Sequence, residues 1–386
     1  MQIPTNEEKN AVWQAYYSGK TTRIPLRWNT NVRVWLFDPA LNTEGFTYQQ
    51  CFEDPKAALE IFARFSEYET AFFSQSSDRS DVLPEMWSVF PDAQNCTDGA
   101  FFGGKIIYPS GQVPGVEPFL SIDEVDDFLA RDFVSSIEKN PFLVEQLRRT
   151  AELRKAAKDF SYAGRKTRVY DFIPWSDGPL TFCMTAFGTD FLLLLAEEPE
   201  KCRRVFLKVT DDLLARHRYL CSVAEVPPVP GAVGMADDSI AMISCDTYRS
   251  TLLDIHKHQY DVSSEGDLSR RRTCHLCGDA TRHFKSLVDV CGVQSFDTGF
   301  PVNHGALRRE LGPDIEISGG PHVGLLERKG ASQECYNEAK RILQSGICEG
   351  GRFILQEGNN LPPLCPLENL QAVYQACLEF GWVNKK

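Results

Sequence analysis

The chain changes its hydrophobic rhythm near residue 165. Before that point the order is irregular. Residues 6–18 read as a helix and 23–28 as a short buried strand. Apolar Ala58, Ile61, Phe62 and Phe65 recur at helical spacing behind Asp54 and Pro55. That spacing predicts an amphipathic helix over 54–68, capped by Asp54. The glycine- and proline-rich stretch 99–118 predicts a hairpin or a long excursion, and 122–129 and 141–159 predict helices.

Beyond residue 165 one unit repeats: a short β-branched run, a polar or glycine-bearing loop, then a helical segment. The runs are 168–174, 232–236, 272–276, 292–296, 314–318 and 352–356. The helices between and after them include 199–224, 245–259, 279–289, 332–344 and 367–380. Strand and helix alternating in this way imply parallel strands joined by crossover helices. Six such units, with earlier strand candidates near Arg23 and Ala71, make the eight that close a barrel. An open doubly wound sheet is the alternative, but no Gly-x-Gly-x-x-Gly turn follows any run. The predicted fold is α/β, a (β/α)8 TIM barrel forming one domain over 1–386. Its irregular N-terminal extension occupies about 1–164, and the regular units occupy about 165–386.

Composition narrows the partners. Against 41 Lys and Arg stand 53 Asp and Glu, a net charge of −12. Nucleic acid and anionic membranes both need a basic surface, so neither is expected as a partner. The basic run 270–272 is expected in a solvated loop. The longest purely apolar stretch, 191–196, is far shorter than a bilayer span. The polar start, with Glu7, Glu8 and Lys9, lacks a secretory apolar region. A soluble cytoplasmic protein is expected, its thirteen scattered cysteines serving as reduced thiols, core residues or metal ligands.

In a barrel, chemistry belongs at the C-terminal ends of the strands. Those positions hold Asp237-Asp238, His275-Leu276-Cys277-Gly278-Asp279, Phe296-Asp297-Thr298-Gly299, Gly319-Gly320-Pro321-His322 and Glu357-Gly358-Asn359-Asn360, with Cys365 beyond. Any one Asp after a strand is ordinarily a helix cap or loop acceptor. Recurrence at one topological position is what argues for a site. Two residues apart in extended chain, His275 and Cys277 face the same side, while Cys274 faces the other. Imidazole and thiolate are both zinc ligands, and a catalytic zinc takes three protein ligands with one position open. A core cysteine beside a hydrogen-bonded histidine is the bland alternative.

These segments resemble the uroporphyrinogen decarboxylase superfamily, and within it the corrinoid-dependent methyltransferases acting on methanol, methylthiols and methoxyaromatics. The matching residues are Gly178-Pro179-Leu180-Thr181, Ala236-Asp237-Asp238 and His275-Leu276-Cys277-Gly278-Asp279. Leu311-Gly312-Pro313-Asp314, Gly350-Gly351-Arg352-Phe353-Ile354-Leu355 and Pro366-Leu367-Glu368-Asn369-Leu370 continue them. The resemblance implies methyl transfer between a small methoxylated or hydroxylated compound and the cobalt of a corrinoid on a partner protein. It also implies zinc held by His275 and Cys277. Where the family places a third, cysteine ligand this chain has Asn359, so Glu357 is the preferred substitute and Cys365 the other. A site without metal, binding through its histidine and carboxylates, stays open. Asp237, Asp297 and His322 are then expected to orient the donor or manage its proton, with Trp28, Phe101, Asp238 and Asn359 contacting it. Tetrapyrrole decarboxylation and a non-catalytic corrinoid- or tetrapyrrole-binding barrel are the alternative readings. The decarboxylases' N-terminal arginine cluster has no counterpart in Arg23, Arg27 and Arg33.

Overall fold

The computed structural model describes residues 2–229 and 231–383. Its strands in chain order are β1 (Trp87–Val89), β2 (Ile106–Ile107), β3 (Gly115–Val116), β4 (Thr167–Val169), β5 (Ala232–Ala236), β6 (Arg271–Leu276), β7 (Ser295–Thr298), β8 (Glu316–Gly319) and β9 (Phe353–Leu355). β5 to β9 form one parallel sheet in sequence order. Helices Leu253–Ser263, Phe284–Cys291, His304–Leu311 and Ser332–Ile342 make the crossovers, and Leu367–Phe380 follows β9. Leu26 bridges Leu355 in parallel, and Asp78 N donates to Leu26 O at 3.0 Å, carrying the wall past β9. β1 and β4 pair in parallel apart from it, and β2 and β3 form the expected hairpin.

Parallel order and crossover helices agree with the predicted architecture. The hydrogen-bonded ladders do not run round a ring of eight: among the described residues β5 has no strand paired to its outer edge. The strand expected near Ala71 is instead helix, within Pro55–Phe73. Asp54 caps that helix, accepting from Lys56 N at 2.8 Å, and its apolar face runs on past residue 68 to buried Phe73.

Side-chain parity decides where chemistry can sit. Val233, Met235, Cys274 and Leu276 are buried on the helix-facing side, so Gly234, Ala236, Thr273 and His275 face the enclosed side. At the N-terminal end of that space Glu316 pairs with Arg271 and accepts from Tyr16 Oη at 2.6 Å and Ser295 Oγ at 2.9 Å. The basic run is therefore not a solvated loop: Arg271 and Arg272 lie in β6, and buried Arg272 reaches Asp261 at 2.9 Å. This ionic floor leaves the opposite, C-terminal mouth for a site.

Candidate metal centre and active site

β6 ends by delivering His275 and Cys277 to the mouth. His275 Nδ1 lies 2.8 Å from Asp297 Oδ2 on neighbouring β7, and its Nε2 lies 3.1 Å from Cys277 Sγ. The register that pairs His275 with Asp297 makes the first contact unavoidable. Asp297 is held from behind, since Gln356 Nε2 donates to its Oδ1 while Gln356 Oε1 accepts from Arg27 Nε at 3.0 Å. Asp238 Oδ1 accepts from Cys277 N at 2.6 Å, and Cys277 Sγ donates to Asn359 Oδ1 at 3.2 Å.

Ligand atoms of Asp238, His275 and Cys277 all lie within 4.8 Å of one another. Nitrogen, sulfur and carboxylate oxygen in that span suit zinc, and Asp297 fixes the imidazole so that Nε2 faces the cluster. The residues present therefore fit the ion. Burial opposes charge on His275, but Asp297 and then Cys277 outweigh it and push the imidazole up to about 11. Burial raises the Cys277 thiol, with His275 pulling the other way. A metal must displace both protons.

Other expected residues fall elsewhere. Glu357 is fully buried, its carboxylate accepting from Asn29 N at 3.1 Å, and burial raises it well above the usual carboxylate range. Neither Glu357 nor Cys365 joins the three-residue cluster. Asp237 is fully buried as well. It accepts from Leu180 N (3.2 Å), Thr181 N (2.7 Å) and Thr181 Oγ1 (2.8 Å), and His256 Nε2 is 3.0 Å away. These contacts pin helix Pro179–Phe187 onto β5 and leave Asp237 no face on the mouth. Trp28 and Phe101 are core residues: Trp28 Nε1 donates to Ser76 O at 3.0 Å, and Phe101 packs on Phe102 at 4.9 Å. His322 is exposed at the rim, its ring 3.5 Å from that of Phe300 and its Nδ1 accepting from Gly324 N at 2.8 Å.

Three residues were not singled out from the sequence. Asp98, far back in the chain, is buried and pairs with Arg216 at 2.7 Å while accepting from Asp177 N at 2.8 Å. Burial, then Asp98 and Asp238, push the Asp177 carboxyl up to about 7. Ser176-Asp177-Gly178-Pro179 carried a signal, a polar strand end before a helix-opening proline. Nothing local pointed to Asp98 or Arg216.

Glycines let the mouth close. A Cβ on Gly299 would lie 2.5 Å from Gly278 N, and one on Gly320 would lie 1.9 Å from Gln356 O. A Cβ on Gly178, whose φ is +84°, would lie 2.3 Å from Ala236 O. The strand ends touch backbone to backbone.

Comparisons with known proteins agree with this architecture. The family model for Uroporphyrinogen decarboxylase (URO-D) matches residues 97–380. A solved structure described as a methyltransferase from Methanosarcina mazei superposes with a TM-score of 0.63 at 16% identity, covering 97% of this chain and 99% of that one. At that identity the likeness speaks to fold. No curated protein matches the sequence. Among the described residues no helix is long and apolar enough to cross a membrane.

Proposed function

Because the chain belongs to the uroporphyrinogen decarboxylase (URO-D) family, we propose that its mouth works as a methyltransferase site. It would move a methyl group between a small methoxylated or hydroxylated compound and a corrinoid carried by a separate protein. The observation carrying this reading is the Asp238–His275–Cys277 cluster with Asp297 behind its imidazole. These three residues would hold zinc, and when bound the ion would supply a Lewis acid for the donor's oxygen. Asp238 thus takes the ligand role expected of Glu357.

The remaining work falls to side chains. Asp297, itself held by Gln356, orients His275. Asn359, with its Oδ1 on Cys277, sets the sulfur's direction. Asp177, at about 7, is suited to give or take a proton at the donor oxygen near neutrality. His322 and Phe300 form an apolar and polar rim over which a flat donor would enter.

The test is to add the protein and a panel of methoxyaromatics, methanol and methylated thiols to reduced corrinoid on its carrier protein. Methylation of the corrinoid changes its absorbance, and His275→Ala should lose most of the rate. No change with any donor would end this reading. The family match itself favours tetrapyrrole decarboxylation as the second reading. Against it, Arg23 is buried against Asp78 at 2.6 Å and is not offered to a carboxylate, and Arg27 gives its Nε to Gln356. Loss of carboxyl groups from a porphyrinogen would reverse that preference.

A further inference from the structure

The mouth holds one more donor atom beside the Asp238–His275–Cys277 cluster. Asn359 Oδ1 lies 3.2 Å from Cys277 Sγ, much as His275 Nε2 lies 3.1 Å from the same sulfur. Both Asn359 and Cys277 are only half-buried, so an ion can reach the contact from solvent.

Which end of the carboxamide faces the sulfur is fixed. Asn360 N donates to the same Oδ1 at 2.7 Å. A backbone amide can only donate, so oxygen and not Nδ2 must stand there. The backbone is committed as well, since Asn359 holds φ at +127°, a value that glycine takes freely and other residues rarely. The spacing suits shared coordination. Two ligands of one zinc, each about 2.0–2.3 Å from it, stand roughly 3.5 Å apart. Separations of 3.1 and 3.2 Å at the sulfur call for only a small adjustment. The thiol proton that joins Cys277 Sγ to Asn359 Oδ1 is one that a metal must displace, so the ion enters between these two atoms.

We propose that Asn359 Oδ1 is a fourth ligand of the centre, beside Asp238, His275 and Cys277, and that it is the one an incoming donor oxygen displaces. The inference rests on the metal reading of the mouth and not on methyl transfer. Charge supports it. A thiolate from Cys277 and a carboxylate from Asp238 together cancel a divalent ion, and the imidazole and the amide add no charge. A thiolate at position 359 would leave the centre anionic and a weaker Lewis acid. The neutral amide is the weakest of the four donors. It yields first, and the open place that a catalytic metal needs is made on demand. A centre of this kind favours ethers and alcohols over methylated thiols, because its pull on a hard oxygen is undiminished.

The test loads the whole protein with cobalt(II), whose absorption reports both thiolate bonds and coordination, and needs no donor or corrinoid. Asn359→Gly removes the oxygen without straining the backbone. It should weaken cobalt binding by about tenfold or more, since even a partner behind a ligand costs that much. It should also bind added azide more tightly than the unmutated protein does, because azide no longer displaces the amide. A residue that only steers the sulfur would leave azide affinity unchanged. Asn359→Cys should add a second thiolate-to-cobalt transition, about doubling the near-ultraviolet absorbance of the single Cys277 bond. Circular dichroism checks that this variant folds, and if it does not, the glycine variant still decides. The proposal is overturned by unchanged cobalt and azide affinities in Asn359→Gly. An unaltered thiolate band in folded, cobalt-loaded Asn359→Cys would also overturn it, as would an unmutated protein that binds no cobalt. Failure of methyl transfer alone would leave all three readouts standing.

Discussion

His275 gives its Nδ1 to Asp297 Oδ2 at 2.8 Å, and so its other nitrogen is committed to Cys277 and Asp238. One carboxylate on β7 thereby fixes which atom of an imidazole on β6 is offered to an ion.

Metal content should follow that assignment. His275→Ala and Cys277→Ser should lose zinc, and Asp238→Asn should lose most of it, whereas Glu357→Gln should keep it. Elemental analysis of the four variants decides. Zinc retained in Asp238→Asn but lost in Glu357→Gln would return the third ligand to Glu357.

Asp297→Asn should weaken metal binding without abolishing it, by about 10–100-fold, the usual effect of removing a partner behind a ligating histidine. Competition with a chromogenic chelator measures it. Because both ligand protons must leave, occupancy in every variant should fall as the buffer is acidified.

Asp237 should behave as a structural residue. Asp237→Ala strands the amides of Leu180 and Thr181 and the ring of His256, and should cost about 3–5 kcal/mol. Urea unfolding reads the loss. Asp238→Asn should leave the unfolding midpoint of metal-free protein nearly unchanged, so adjacent aspartates would separate cleanly into fold and site.

Acid should destabilise the metal-free protein through its buried histidines. Burial lowers His304 and His283 to about 4 from an ordinary 6.5. A group depressed in the folded state contributes fully above 6.5, and that contribution is lost as pH falls towards 4. For well-buried His304 the full difference is about 3 kcal/mol. The raised carboxyls of Asp177 and Glu357 act in the opposite sense over the same window, so the readout is the difference between proteins. The urea midpoint of His304→Leu should rise relative to that of the unmutated protein as pH falls from 6.5 towards 4, and a constant difference would contradict the assignment.

The regular half of the chain was legible because local signals and tertiary demands coincide there. β5 runs over Ala232–Ala236 as the pattern predicted, and helix Leu367–Phe380 likewise. Where they diverged, packing prevailed: the segment around Ala71 is β-compatible in isolation, but it continues a helix already started by Asp54 and Pro55. Parity explains His275 and Cys277, since alternation along a strand is a local property. The division of labour between Asp237 and Asp238 lies beyond such reasoning. Which of two identical neighbours turns inward depends on where Thr181 and His256 arrive, from 56 residues before and 19 after. Glu357 misled for a related reason. Asn359 adopts φ +127°, which breaks the extended alternation that would have put both residues on one side.

The glycine contacts at the mouth bear on how the site can work over time. Loops that meet at 1.9–2.5 Å from an imagined methyl group have no room to pass one another. Such an opening behaves as a fixed die rather than a hinged jaw: its shape exists before anything arrives, and binding spends little on rearrangement. A Gly299→Ala change would therefore be felt at Cys277, a strand away. For the same reason, new specificities would have to come from exchanging side chains at fixed positions such as Asn359, because the backbone that carries them has nowhere to move.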